Sequence, residues 1–170
     1  MSKRLYLLRH GKSSWKHPEL GDHERPLTGR GRRAAKAIAR HLDGHEIAPG
    51  LVLCSTARRA RETFERVEPA LGAATVRHEP ELYRASADAL LERLRAVPDA
   101  IASVMIIGHS PALEQLALEL ARPSPERRDL DTGFPTAALA TLEFPGPTWR
   151  DLDRGGADLV SLQRPRDLET

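Results

Sequence analysis

Three apolar runs in this chain each end in residues suited to phosphoryl chemistry. Arg9-His10-Gly11 follows Leu5-Tyr6-Leu7-Leu8, and Gly108-His109-Ser110-Pro111 follows Val104-Met105-Ile106-Ile107. Between them, Ser55-Thr56-Ala57-Arg58-Arg59-Ala60-Arg61-Glu62-Thr63 follows Leu51-Val52-Leu53-Cys54. A phosphoryl group in transfer spreads negative charge over three oxygens, and that charge must be neutralised. Fixed arginines can do this in place of a metal ion, through charge-assisted and often bidentate bonds. A histidine nucleophile needs one ring nitrogen free and the other N–H held on an acceptor, often a backbone carbonyl. His10, followed by the flexible Gly11, is the candidate nucleophile. His109 is the candidate donor to the transferring group, and Arg9 and Arg59 are the candidate cations. Ser110-Pro111 and the helix start behind them would add backbone N–H groups and a favourable dipole. The set calls for no metal and no cofactor.

Such residues act together only if a scaffold brings them together. Leu5–Leu8 is continuously apolar, the pattern of a strand buried on both faces. The polar segment His10–Pro26 reads as a loop, and Thr28 as the N-cap of a helix bearing Leu27, Ala34, Ala35, Ile38 and Leu42. A strand over Gly50–Cys54 precedes a helix with Ala57, Ala60, Phe64, Val67 and Leu71 on one face. Thr75–His78 reads as a strand, and Ser86 as the cap of a helix with Ala87, Leu90, Leu91, Leu94 and Val97 inward. Ile101–Ile107 reads as the central strand. Ser110 as N-cap and Pro111 at the first helical position would open a helix carrying Leu113, Leu116, Ala117 and Leu120. After the charged loop Arg122–Pro135, Ala137–Phe144 and Leu159–Gln163 read as strands with no good helix between them. Alternating strands and helices predict an α/β fold with three layers, α/β/α. Its central sheet is mainly parallel, with an antiparallel edge. All three motifs then fall at carboxyl ends of strands, where such sheets bind ligands.

The chain has 170 residues, the size of one domain (1–170) with a full core. At 40% apolar and 29% charged residues it has an ordinary globular composition. A net charge of +2 is too small to argue for nucleic acid, and at 4% aromatics the arginines lack the interleaved rings of a single-strand binder. Arg32, Arg33, Arg58 and Arg61 read as solvated helix charges. The single cysteine excludes a disulfide framework. No apolar run is long enough to span a membrane, and no signal segment opens the chain, so a cytoplasmic location is expected.

With these motifs the chain resembles the histidine phosphatase superfamily, the phosphoglycerate mutase-like fold. It is most similar to the short SixA-type phosphohistidine phosphatases. The resemblance rests on Leu7 to Trp15, on Asp22-His23-Glu24-Arg25-Pro26-Leu27-Thr28-x-x-Gly31, and on Ser55-x-x-x-Arg59-Ala60-x-x-Thr63. Gly108 to Pro111 and Phe134-Pro135-Thr136-Ala137-Ala138-Leu139 complete it. It implies that His10 accepts the phosphoryl group and that Arg9, Arg59 and His109 form the phosphate pocket, with Arg59 rather than Arg58 at the family spacing. Gly11 and Ser13 are expected to contact substrate; Lys12 and Ser13 either touch phosphate or shape the loop. Larger members use a carboxylate to protonate an alkoxide leaving group, and Glu81, in Glu79-Pro80-Glu81-Leu82-Tyr83, is the matching candidate. SixA-type chains are poor in that acid, which suits a phosphorylated imidazole that leaves once its ring is protonated. The implied activity is metal-independent removal of phosphate from phosphohistidine on a protein, such as a histidine-containing phosphotransfer domain, by a monomer. The alternatives are a phosphatase of small phosphate monoesters and a non-catalytic phosphoprotein-binding module.

Other polar residues are better read as structural. His41 and His45 have a zinc-like spacing, but with Gly44 between them and no third ligand nearby they read as a frayed helix end. A cysteine phosphatase would need an arginine where Ala60 stands, so Cys54 reads as a small buried residue. Asp129-Leu130-Asp131-Thr132 lacks the preceding buried strand of an aspartyl-phosphate motif. Trp15 and Trp149 are expected in core or loop packing.

Overall fold

The computed structural model describes residues 2–168. Six strands form one sheet: β1 (Ser2–Arg9), β2 (Leu51–Ser55), β3 (Thr75–Glu79), β4 (Ser103–Gly108), β5 (Leu139–Pro145) and β6 (Asp158–Gln163). Their order is β3-β2-β4-β1-β5-β6. The pairs β3·β2, β2·β4 and β4·β1 are parallel, and β1·β5 and β5·β6 are antiparallel. The expected mainly parallel sheet with an antiparallel edge is therefore what forms, and β4 lies inside it between β1 and β2.

Helices α1 (Gly29–Gly44), α2 (Arg58–Val67), α3 (Ala87–Arg95), α4 (Ala112–Leu120) and α5 (Pro165–Leu168) complete the fold. Side chains alternate across a strand, so a continuously apolar strand feeds two cores. Leu5, Leu7, Val104 and Ile106 join α3 and α4 on one face. Tyr6, Leu8, Met105 and Ile107 join α1 and α2 on the other. Thr28 caps α1, its Oγ1 accepting from Gly31 N–H at 2.9 Å, and Ser86 caps α3, accepting from Ala89 N–H at 3.1 Å. No helix of the described residues is long and apolar enough to cross a membrane.

Three expectations need correction. Helix α4 begins at Ala112, one residue late, with Pro111 at its N-cap and no side-chain cap. The N–H of Leu113 already bonds to the His109 carbonyl at 3.0 Å, so Ser110 has no cap to supply. The segment Arg122–Pro135 is not all loop: Glu126–Thr132 winds into a 3-10 turn that buries Leu130 in the core. Trp149 is fully buried, but Trp15 is 78% exposed, with Arg25 stacked on its ring.

A backbone contact sets the position of the loop after β1. A Cβ on Gly11 would lie 2.8 Å from the Gly31 carbonyl oxygen, and one on Gly31 would lie 2.3 Å from the Lys12 carbonyl oxygen. The loop can press onto the first turn of α1 only because both positions lack a side chain. Gly31→Ala should cost about 1–3 kcal/mol through overpacking against rigid backbone. A urea denaturation curve would show it as a lowered midpoint at unchanged slope.

Candidate active site

The carboxyl ends of β1, β2 and β4 lie side by side, with Arg9 in register with Gly108 and Cys54 with Ile107. His10, Arg59 and His109 consequently line one small cavity of about 280 Å³, together with Asp22, Tyr83, Arg84 and Ser110. The His10 and His109 ring centroids are 5.2 Å apart.

His10 is held on every side. Its own carbonyl accepts from Ala137 N–H at 2.9 Å, and its N–H donates to the Gly108 carbonyl at 3.0 Å. Ala137 adopts φ +62°, a left-handed conformation unfavourable for a residue with a Cβ, and so contributes local strain at this clamp. The ring Nδ1 lies 2.7 Å from the Gly11 carbonyl oxygen, which can only accept. Nδ1 therefore carries the proton, and Nε2 keeps its lone pair. Burial first, then the positive surroundings of His109, Arg59 and Arg9, push the His10 pKa down to about 3.

His109 has the complementary form. Its Nε2 lies 2.8 Å from Ser55 Oγ, and that oxygen already accepts from Ala57 N–H at 3.2 Å. No other acceptor for the Ser55 hydroxyl proton occurs among the described hydrogen bonds, so that proton is assigned to His109 Nε2, which puts the imidazole proton on Nδ1. Nδ1 is buried and has no partner among the described residues, a donor ready for an incoming oxygen. Burial, then Arg59 and Arg9, lower the His109 pKa to about 4. Ser55 was quoted above only as a motif position; here it sets a tautomer. Ser55→Ala should lower turnover about tenfold or more, the scale on which groups that orient a catalytic imidazole act. Steady-state kinetics would read it, with Ser55→Thr retaining more activity than Ser55→Ala.

Arg9 Nη1 donates to the Phe134 carbonyl at 2.9 Å, while its Nε is buried without a partner among the described residues. Arg9 lines a larger groove that meets the histidine cavity at Ser110. Arg59, only 7% exposed, donates from Nη1 to the Asp22 carbonyl at 2.7 Å and from Nη2 to Asp22 Oδ2 at 3.0 Å. Arg58 pairs instead with Glu62 at 2.9 Å on the half-exposed side of α2. The Tyr83 hydroxyl also donates to Asp22 Oδ2, and Arg25 Nη1 to Oδ1 at 2.9 Å. That Tyr83 bond, with Arg25 and Arg59 beside it, holds the Asp22 carboxyl well below the usual carboxylate range. A buried arginine needs such a partner, and that need was the available signal for Asp22.

Gly11, Ser13 and Glu81 are placed differently from expectation. The Gly11 N–H donates to Thr63 Oγ1 at 2.9 Å and its carbonyl holds His10, so Gly11 fixes the nucleophile rather than presenting a donor to substrate. The Ser13 hydroxyl oxygen accepts from Arg25 Nη2, and Ser13 bridges to Leu27, so its side chain shapes the loop. Glu81 lines a separate hollow with Glu79 and Arg93, away from both imidazoles. Glu79 is forked onto Arg93 at 2.8 and 2.9 Å, and that bond lowers its pKa. Neither glutamate reaches the cavity as a proton donor. Cys54 is fully buried, and burial pushes its thiol up to about 12, which leaves it inert. The His41 and His45 rings pack together at 4.1 Å as α1 ends, and no group of three metal-ligating side chains occurs among the described residues.

Residues 5–83 match the histidine phosphatase superfamily (branch 1). An uncharacterized protein of Mycobacterium leprae is 34% identical over 167 residues, covering 94% of this chain and 100% of that protein. A SixA-type structure from Nakamurella multipartitia superposes with a TM-score of 0.86 at 34% identity, over 97% of each chain. The protein histidine phosphatase SixA complexed with tungstate superposes with a TM-score of 0.79 at 25% identity, over 97% of this chain and 99% of that one. The chain belongs to the histidine phosphatase superfamily. Within it, this chain has the fold of the SixA-like phosphatases.

Proposed function

We propose that the protein removes the phosphoryl group from phosphohistidine on a partner protein, by way of a phosphorylated His10 and without metal or cofactor. The observation that carries this reading is the lining of the histidine cavity. Its one carboxyl group is Asp22, kept ionised by Tyr83, Arg25 and Arg59. A sugar or serine phosphate needs a proton donor for its alkoxide, and an ionised Asp22 cannot be one. A phosphorylated imidazole protonated on its other ring nitrogen leaves as neutral imidazole without such help.

In the first step the His10 Nε2 lone pair forms a bond to phosphorus as the substrate P–N bond breaks, its electron pair returning to the departing imidazole. Arg59, Arg9 and the His109 Nδ1–H neutralise the charge on the transferring oxygens. Water then attacks phosphorus, the bond to His10 Nε2 breaks, and inorganic phosphate leaves. Likeness to a SixA complexed with tungstate, a phosphate-like oxyanion, supports a pocket of this kind. The partner this reading favours is a histidine-containing phosphotransfer domain, met by a monomeric enzyme in the cytoplasm.

One observation favours a second reading. The adjoining groove encloses about 770 Å³, within the range of small-ligand sites, which suits a phosphate monoester. Phosphate release should be measured in EDTA from a phosphohistidine-bearing domain, beside phosphoserine, phosphotyrosine and small phosphate esters, with His10→Ala as control. His10-dependent release from phosphohistidine alone is the expected result. Release from small esters only would move the function to a metabolite.

A further inference from the structure

The groove beside the histidine cavity collects positive charge that the fold does not need. It runs from Ser110, shared with the histidine cavity, past the loop Thr132–Thr136 to the start of α5. Arg9, Lys12, Arg30, Arg164 and Arg166 line it, against one carboxylate, Glu114. The whole chain carries only +2, so this is a local concentration of charge rather than a share of a basic surface. Several arginines on other faces are paired with carboxylates, as Arg93 is with Glu79 at 2.8 Å and Arg154 with Asp88 at 2.6 Å. Here Arg164 meets neutral partners, the Asp129 carbonyl and the Thr132 hydroxyl, and Arg166 only approaches Asp167 at 4.0 Å.

Arg30 gives an independent indication. It stands in the first turn of α1, where the helix dipole disfavours a cation, and that turn holds no acidic residue to offset it. Folding alone would favour a glutamate there.

We propose that this groove seats an acidic face of the phosphorylated protein, so that Lys12, Arg30, Arg164 and Arg166 select the partner while Arg9 and His10 take its phosphoryl group. The proposal rests on the phosphohistidine-protein reading above. Rim charges of this kind act on encounter and on KM, weaken with salt, and leave the chemical step alone.

The test uses the double variant Arg30→Glu/Arg166→Glu and three substrates: free phosphohistidine, a phosphohistidine-bearing domain with an acidic face, and the same domain with those carboxylates changed to amides. For the wild-type protein, KM on the acidic domain should be lower than on the amidated one and should rise with salt. The double variant should raise KM on the acidic domain about tenfold or more, with kcat and the rate on free phosphohistidine unchanged. A wild-type protein that turns over both domains with equal KM, or a variant with unaltered KM, overturns the groove and leaves the phosphohistidine reading standing. A wild-type protein inactive on all three substrates overturns both. Thermal unfolding of Arg30→Glu alone, expected at or above the wild-type midpoint, separates a docking effect from misfolding.

Discussion

His10→Ala should abolish turnover and leave no acid-labile phosphoenzyme. The loss expected is on the order of 10⁴-fold or more in kcat, the scale of deleting a covalent nucleophile. The other imidazole, the one cysteine and the cavity carboxylate are poor replacements. The His109 Nε2 is occupied by Ser55 and its Nδ1 bears the proton. Cys54 is buried with its thiol pushed up to about 12, and Asp22 is engaged by three partners. Rapid quenching with labelled substrate, followed by brief acid treatment, distinguishes a phosphorylated imidazole from an acid-stable ester. A labelled His10→Ala protein would place the nucleophile elsewhere.

The same residue carries a pH signature. Because burial and the neighbouring cations lower the His10 pKa to about 3 and that of His109 to about 4, both are neutral in the free protein at pH 5. An exposed histidine nucleophile would already be mostly protonated there, with a pKa near 6.5. After correction for substrate ionisation, kcat/KM should hold its plateau down to about pH 5 rather than break near 6.5. Stability moves in a defined direction too. Below pH 6.5 the unfolded chain takes up protons that the native state does not, so stability falls as pH drops from 6.5 towards 3. It is fully present above 6.5. Urea midpoints measured across that range should decline less steeply in His10→Ala.

Strand ends were legible in the sequence because strands buried on both faces read as unbroken apolar runs. Leu5–Leu8, Leu51–Cys54 and Val104–Ile107 place Arg9, Ser55 and Gly108 within a residue of where they lie. Thr28 and Ser86 were legible because a cap is a local bond, three residues long. What was missed is non-local. Asp22 is separated from Arg59 by 37 residues, Ser55 from His109 by 54, and Arg9 from the Phe134 carbonyl by 125. Chain topology makes these contacts, and no periodicity announces them. Glu81 shows the converse. Resemblance to larger family members made Glu81 the candidate acid, and Tyr83, two residues on, does line the cavity. The 3-10 turn Pro80–Leu82 instead turns Glu81 to the hollow by Arg93. The late segment Phe134–Leu139 was visible as a family motif leading into a strand, with no role assigned to it. Its work is to clamp the nucleophile, through the Phe134 carbonyl on Arg9, Ala138 on the Arg9 N–H and Ala137 on the His10 carbonyl.

Arg59→Ala should lower kcat/KM about a hundredfold or more, the cost of one preorganised donor to transition-state charge. The reason for expecting the upper part of that range lies in Asp22. In the native site the Arg59 guanidinium is bonded to Asp22 through both Nη atoms, and both residues line the cavity that holds the imidazoles. Removing it takes away a cation and leaves a carboxylate facing an incoming phosphate, so loss of attraction is joined by repulsion. The two effects separate in a double-mutant cycle. Asp22→Asn alone should lose activity modestly, because Arg59 loses an anchor but keeps its charge. Asp22→Asn/Arg59→Ala should recover part of what Arg59→Ala lost. Arg59→Lys should fall between wild type and alanine, keeping the charge without the planar fork. Additive losses in the cycle would mean that Asp22 does not act through Arg59. EDTA should change none of these rates, whereas a magnesium requirement restored by added metal would mean that the charge is neutralised by an ion rather than by the arginines.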